Sequence, residues 1–420
     1  STLLRFQSIN EKVSIDATTS TTTTTLFIPV AIENECSTWS GSDNFKECRT
    51  GIELVNSTKY SEILNNVIVF ENDIYVLDVF GVIYKNSPSS IFLDVSSKVL
   101  NRKDRNPLAE NTTESGLFSL AFHPYENYFL ISYSDLEDNL IVEKFLIDEN
   151  QDINLASSEI VLKIPNSVGY HYSGNIIYSN YFNDFIISVG DMESNLAPLV
   201  NSEPLDTTSP RGKIFLLKNE VSNPKQLSLN FNTEPFKNLI AYGLRNPWKT
   251  YEYKNFLFVP DIGVMTEEEL NILNLDEISN SKQPFLLGWP YYEGSIDNEI
   301  KYNEIYLYQD GNAQNINTFV KENSIFPKVF YTHQAPENFR AAIIGGGVIE
   351  NKESKYYEHY LFADYLSNEL FAYDFKKDEL FIFPLGSLNS YITSVAIHPK
   401  NIDTVLLTTG FGNLIEIKLP

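Results

Sequence analysis

Positive charge, cysteine and long apolar runs are all scarce in this 420-residue chain. Its 31 Lys and Arg face 55 Asp and Glu, a formal charge of −24. A phosphate-binding face needs a surplus of cations, so nucleic acid and anionic membrane surfaces are excluded as partners. No stretch approaches the 18 or so consecutive apolar residues of a spanning helix. The first residue is Ser, with no charged segment and apolar run behind it, so an export signal is expected to be absent or already removed. The two cysteines, Cys36 and Cys48, are spaced to close one short loop, a disulfide worth roughly 3 kcal/mol. Two free thiols in a reducing compartment are the alternative. Helical periodicity is nearly absent as well.

What is present is β-forming. Hydrophobic residues make up 43% of the chain, enough for a large core, and a disordered chain is excluded. Residues 18–25 are almost pure threonine, which reads as a linker or O-glycan acceptor. The sequons Asn56-Ser57-Thr58 and Asn111-Thr112-Thr113 favour an exported or surface-displayed protein. From Asn65 onward, short β-branched and aromatic runs alternate with Asn, Asp, Gly and Pro turns. They cluster near 67–84, 117–147, 160–217, 239–275, 343–383 and 391–418. One phrase recurs, Ser119-Leu120-Ala121-Phe122-His123-Pro124 and Ser394-Val395-Ala396-Ile397-His398-Pro399. Six groups of about four strands predict an all-β fold, a six-bladed β-propeller of four-stranded antiparallel blades over 61–420, preceded by an N-terminal extension over 1–60. The segment 276–342 is expected to form loops on one face. A two-sheet sandwich plus a second domain is the structural alternative.

Several phrases carry more than fold. In order they are Glu114-Ser115-Gly116-Leu117 through Ala121-Phe122-His123-Pro124, His171-Tyr172-Ser173-Gly174, Val189-Gly190-Asp191, Gly212-Lys213-Ile214, Tyr242-Gly243-Leu244-Arg245-Asn246-Pro247-Trp248, Asp261-Ile262-Gly263 through Glu268-Glu269-Leu270-Asn271, and Gly288-Trp289-Pro290-Tyr291-Tyr292-Glu293-Gly294. This series resembles the soluble quinoprotein glucose/sorbosone dehydrogenases. That family of six-bladed propellers includes aldose sugar dehydrogenases and the non-enzymatic Hedgehog-interacting proteins. The resemblance covers roughly residues 65–420.

The resemblance implies a calcium-dependent oxidoreductase that uses pyrroloquinoline quinone (PQQ) to oxidise an aldose and passes electrons to a separate acceptor. It places His171 as the catalytic base, a role neutral imidazole suits near pH 7. Arg245 and Asn246 fall where the family contacts the quinone, Arg245 also stabilising its reduced, more anionic form. Glu114 is a further expected cofactor contact. The acidic loop Gly263, Val264, Glu268 and Glu269 matches the family's calcium loop, where carbonyls and carboxylates suit a hard cation. Each has a plain alternative: a histidine satisfied in a turn, a structural blade-to-blade turn, and solvated glutamates opening a short helix.

The departures from the family pattern point elsewhere. Where the glucose dehydrogenases place a lysine and two arginines on the quinone carboxylates, this chain reads Asp364-Tyr365-Leu366-Ser367-Asn368 and Tyr391-Ile392-Thr393-Ser394, with no cation. Arg340, Lys328 or Arg211 are the candidates to supply charge from elsewhere. An acidic neighbour of the base is matched by Tyr170. The second expectation is therefore a cofactor-less, secreted or surface-displayed module binding a protein or glycan. No zinc spacing, phosphate loop or Gly-x-Ser-x-Gly elbow is present. His333 and His359 are read as loop histidines, and Gly345-Gly346-Gly347 as a close backbone approach entering a strand.

Overall fold

The structure, a computed structural model, describes residues 30–31, 35–101, 114–150, 152–166, 168–193, 203–207, 209–217, 238–281, 283–298, 306–309, 312–333, 339–386, 388 and 390–420. The threonine run and the Asn111 sequon lie outside them. Six antiparallel sheets form the blades of a β-propeller. Blade 1 comprises Leu64–Phe70, Asp73–Asp78, Val82–Lys85 and Ile91–Asp94. Blade 2 comprises Leu117–Phe122, Tyr128–Ser134, Asn139–Ile147 and Ile153–Pro165. Blade 3 comprises Ser173–Ser179, Asp184–Val189, Lys213–Leu217 and Leu239–Tyr242, extended in parallel by Phe285–Leu286. Blade 4 comprises Tyr251–Tyr253, Phe256–Asp261, Glu267–Asn274 and Val329–Thr332. Blade 5 comprises Ile343–Val348, His359–Asp364, Glu369–Asp374 and Glu379–Pro384. Blade 6 takes Ile392–Ile397, Thr404–Thr409 and Asn413–Lys418 from the C-terminal end of the chain.

The fourth strand of blade 6 comes from far earlier in the sequence. Glu53–Lys59 pairs antiparallel with Asn413–Lys418, so the two ends of the described chain close the ring together. Phe45–Cys48 adds in parallel to the outer edge of blade 5, and the Cys36–Cys48 disulfide anchors the segment before it. Such closure removes free sheet edges where the first and last blades would otherwise gape.

Blade boundaries differ from the sequence clusters in several places: residues 160–165, expected to open the third group, end the fourth strand of blade 2, and Glu53–Lys59 falls within the expected extension over 1–60 yet belongs to blade 6. Leu239–Tyr242 completes blade 3 instead of opening the next group, because it pairs with Lys213–Leu217. Val329–Thr332 completes blade 4 after a long excursion holding the helices Leu275–Ser281 and Ile316–Asn323. A strand separated from its partner by some fifty residues leaves no periodic trace in the sequence between them.

The first strand of each blade neighbours the first strands of the adjacent blades, forming a closed inner ring. These strands are largely buried, most completely Leu117–Phe122, all six of whose residues are buried. Across the axis, Lys249 Nζ donates to Val67 O of blade 1 at 3.0 Å and Val395 O of blade 6 at 2.5 Å, and also to Ser394 Oγ. Gly345 fits because a Cβ there would lie 2.2 Å from Lys249 O, the close approach expected of the glycine run. The recurring phrase ends two inner strands in the same way. His123 Nδ1 accepts the N–H groups of Tyr125 and Glu126, and His398 Nδ1 those of Lys400 and Asn401. Both are turn-capping histidines.

Candidate functional site

Two ends of the disc differ in chemistry. At the end where inner strands finish, an axial cavity of about 640 Å³ is lined by mostly apolar inner-strand residues including Val69, Ile177, Tyr251 and Ile397. His171, Arg245 and Asn246 do not line it; they sit at the opposite end, where inner strands begin. The turn before blade 3 places His171, the end of that blade's second strand places Asp191, and the turn into blade 4 places Arg245 and Asn246.

His171 is held from three sides. Its backbone N–H donates to Glu114 Oε2 at 2.7 Å, its Nδ1 lies 2.6 Å from Asp191 Oδ1, and its Nε2 lies 3.1 Å from Arg245 Nη2. A guanidinium can only donate, so Nε2 must be the accepting nitrogen and Nδ1–H the donor to Asp191. The imidazole is thereby fixed in one tautomer with its basic nitrogen turned to Arg245. Asp191 Oδ2 also accepts the Trp289 indole N–H at 3.0 Å. Gly190 makes room for this packing, since a Cβ there would stand 2.0 Å from His171 O. His171, Asp191, Arg245 and Asn246 are all buried.

Arg245 and Asn246 are positioned through their backbone. Asp261 Oδ2 accepts Arg245 N–H at 2.8 Å, and Asp261 Oδ1 accepts Asn246 N–H at 2.6 Å. Burial, with repulsion from Asp191 adding to it, raises the Asp261 pKa to about 7 against the pull of these donors and of the Arg245 charge. The Arg245 Nη1 donates to the carbonyls of Ile262 at 2.9 Å and Gly263 at 2.8 Å. Asn246 Oδ1 is buried and has no hydrogen-bond partner among the described residues.

The acidic loop is built inside out relative to a cation site. The N–H groups of Val264, Met265, Thr266 and Glu267 all converge on one oxygen of Glu293, at 2.8–3.2 Å. This is a backbone nest filled by the protein's own carboxylate. The glutamates that follow are neither solvated nor helical; they open a buried strand, Glu267–Asn274. Glu268 accepts from His333 Nε2 at 2.7 Å and from the N–H groups of Gly263, Ala342 and Ile343. Glu269 accepts from Asn271 Nδ2 and Gly294 N–H, and burial, then the neighbouring Asp261, push its pKa well above the usual range. Burial works against charging His333, but the Glu268 hydrogen bond and charge outweigh it and its pKa is raised.

Of the residues singled out from the sequence, His171, Glu114, Arg245 and Asn246 come together, and Gly263 joins them through its carbonyl. Glu114 grips the His171 backbone. The acid beside His171 is Asp191, twenty residues away in sequence and not at the Tyr170 position; the phrase Val189-Gly190-Asp191 carries it. Trp289, Asp261 and Glu293 likewise lie within such phrases. Trp289 meets Asp191 of blade 3, while Asp261 and Glu293 meet backbone N–H groups 15–29 residues away in the turns of blade 4, where only folding brings them. His359 opens a strand of blade 5, and burial lowers its pKa.

The residues fit the two implied cofactors unequally. Asn246 Oδ1, a buried acceptor with no partner among the described residues, suits a ligand N–H, and the guanidinium beside it suits the carbonyl oxygens of a quinone. Calcium does not fit the loop: Gly263 O faces a guanidinium, the loop N–H groups point inward, and no group of three or more His, Cys, Asp or Glu among the described residues could hold an ion. Two of the three candidate carboxylate anchors are committed elsewhere. Arg340 pairs with Glu369 at 2.6 Å in a fully buried fork, Arg211 binds Glu203 and Pro165 O, and Lys328 is exposed.

A propeller with a buried polar site at one end of its ring defines the class, and comparison with known proteins places it. The glucose/sorbosone dehydrogenase family model matches residues 88–353, more than half of the chain, and the chain belongs to that family. The solved structure of the soluble aldose sugar dehydrogenase of Escherichia coli, in its apo form, is similar over 88% of this chain and 99% of its own, with a TM-score of 0.61 and 14% identity. A glucose dehydrogenase matches over 87% and 99%, with a TM-score of 0.61 and 14% identity. A putative oxidoreductase (glucose dehydrogenase) of Thermus thermophilus matches over 87% and 99%, with a TM-score of 0.58 and 16% identity. At these identities the likeness is one of fold. A search of curated proteins finds no match.

Proposed function

We propose that this protein is a sugar dehydrogenase that oxidises a hydroxyl of an aldose, with His171 as the base. The observation that carries the reading is the buried Asp191–His171–Arg245 chain, with contacts of 2.6 and 3.1 Å. Asp191 holds the imidazole with Nε2 unprotonated and stabilises the imidazolium that forms when Nε2 takes the hydroxyl proton. Arg245 Nη2, already beside Nε2, is placed to donate to the oxygen left behind and so to favour its anionic character. A substrate hydroxyl enters by taking over the Arg245–His171 hydrogen bond. Arg245 and Asn246 would hold PQQ, which when bound supplies the hydride acceptor. Electrons would then pass to a separate acceptor. The Cys36–Cys48 disulfide supports an oxidising, secreted or surface location, and no helix among the described residues is long and apolar enough to cross a membrane.

The test is calorimetric titration of PQQ into the protein with and without Ca²⁺, followed by dye reduction with a panel of aldoses. Saturable binding and turnover abolished by His171→Ala support the reading; no binding at millimolar quinone refutes it. The cofactor-less binding module is the second reading, favoured by one observation: the stretches 364–368 and 391–394 carry no cation.

A further inference from the structure

Those same two stretches carry something else. Tyr365 and Tyr391 stack on one another with centroids 4.9 Å apart and planes 14° from parallel, and Phe411 meets Tyr391 edge-on at 6.2 Å. Tyr391 is 43% exposed and Phe411 55% exposed. Two adjacent blades build the cluster: Tyr365 follows the second strand of blade 5, Tyr391 precedes the inner strand of blade 6, and Phe411 lies in the turn between the second and third strands of blade 6. All three positions belong to the end of the disc that carries His171 and Arg245.

The cluster is tied to that site by two short chains of contacts. Tyr365 N–H donates to Ala342 O, and Ala342 N–H donates to Glu268, which also receives Gly263 N–H. On the other side, the Trp248 indole, two residues beyond Asn246, donates to Thr393 O at 3.3 Å, two residues from Tyr391. Hydrogen-bonding residues flank the rings in sequence: Ser367, Asn368, Ser390 and Thr393. Asp364 is buried beneath Tyr331 and three backbone N–H groups, and Lys59 donates to the Phe411 carbonyl.

We infer that Tyr365, Tyr391 and Phe411 form a stacking platform for the ring of a neutral sugar, a subsite for carbohydrate beside the His171 site. A pyranose has an apolar C–H face that packs on an aromatic ring and a rim of hydroxyls that seek amides and hydroxyls, and this patch offers both. The stretches that carry Tyr365 and Tyr391 offer a carboxylate-bearing ligand no cation. The inference rests on the sugar reading above for its ligand class, but not on catalysis or on any cofactor.

Glucose and maltotriose are the probes, titrated into the cofactor-free protein and followed by saturation-transfer NMR and calorimetry. Binding is expected, with transfer involving Tyr and Phe ring protons. Tyr391→Ala and Phe411→Ala should weaken maltotriose roughly two- to tenfold. Tyr125→Ala, at a 76% exposed tyrosine on the opposite end, should change nothing. Phe411→Ala guards against a folding defect, since this ring is the most exposed of the three. Binding indifferent to both platform variants, or no binding of either sugar, overturns the inference. Self-association lost in Tyr391→Ala would overturn it in favour of a second copy of the chain. Turnover with no platform effect defeats this inference alone; platform-dependent binding without turnover under PQQ defeats the proposed catalysis alone.

Discussion

Replacing Asp191 by asparagine tests the core of the site. The carboxylate satisfies two buried donors, His171 Nδ1–H at 2.6 Å and the Trp289 indole at 3.0 Å, and also accepts Glu193 N–H at 3.1 Å. An asparagine has one acceptor oxygen. If it serves His171, its NH₂ confronts the indole N–H, donor against donor, and one buried donor is stranded. That costs about 1–3 kcal/mol, and loss of charge assistance to His171 adds roughly 1 kcal/mol. Removing the charge relieves Asp261 by a fraction of this, so the net loss is about 3 kcal/mol. At roughly 2 cal/mol/K per residue, the 420 residues give an unfolding entropy near 0.9 kcal/mol/K, so the midpoint should fall by roughly 3 °C in scanning calorimetry. Turnover, measured by dye reduction, should fall at least about 100-fold as the tautomer is released. An unchanged or higher midpoint together with unchanged turnover would refute the assignment of Asp191 as the group that orients His171.

Other consequences are equally direct. Glu369→Ala leaves Arg340 buried without its fork partner and should cost about 3–5 kcal/mol, whereas the double variant Arg340→Met/Glu369→Leu should recover most of it in denaturant unfolding. The raised Glu269 pKa means the folded state holds a proton that the unfolded chain, titrating near 4.5, has released. Stability from this group is therefore complete below about pH 4.5 and lost as pH rises through the folded pKa. Glu269→Gln should flatten that decline above about pH 4.5, and an unchanged profile would show that Glu269 is ionised in the fold. Because the acidic loop is filled by Glu293, chelation with EDTA should leave the unfolding midpoint within about 1 °C; a larger drop would reveal an ion held there.

Strand content, blade number and the turn carrying Arg245 and Asn246 were legible in the order of residues, because each is a local property. Inner strands are largely buried and rich in β-branched and aromatic residues, and turns announce themselves through Gly, Asn and Pro. The capping role common to His123 and His398 lay in a repeated phrase for the same reason. The assignment of Leu239–Tyr242 and Val329–Thr332 to their blades was not legible, since pairing across a long excursion leaves no periodicity.

Tertiary structure alone decided what the charged and aromatic groups do. Three successive glutamates suggest a cation loop until Glu293 arrives from a later segment to fill the nest, and Arg245 turns its guanidinium onto the Gly263 carbonyl. The acid beside His171 comes from the end of another strand, as do the rings meeting at Tyr391. A sequence records which side chains exist and how each stretch prefers to bend. Whether a carboxylate meets a guanidinium, an imidazole or a ring of backbone N–H groups is set by the closure of six blades, which brings residues distant in the chain within hydrogen-bonding reach.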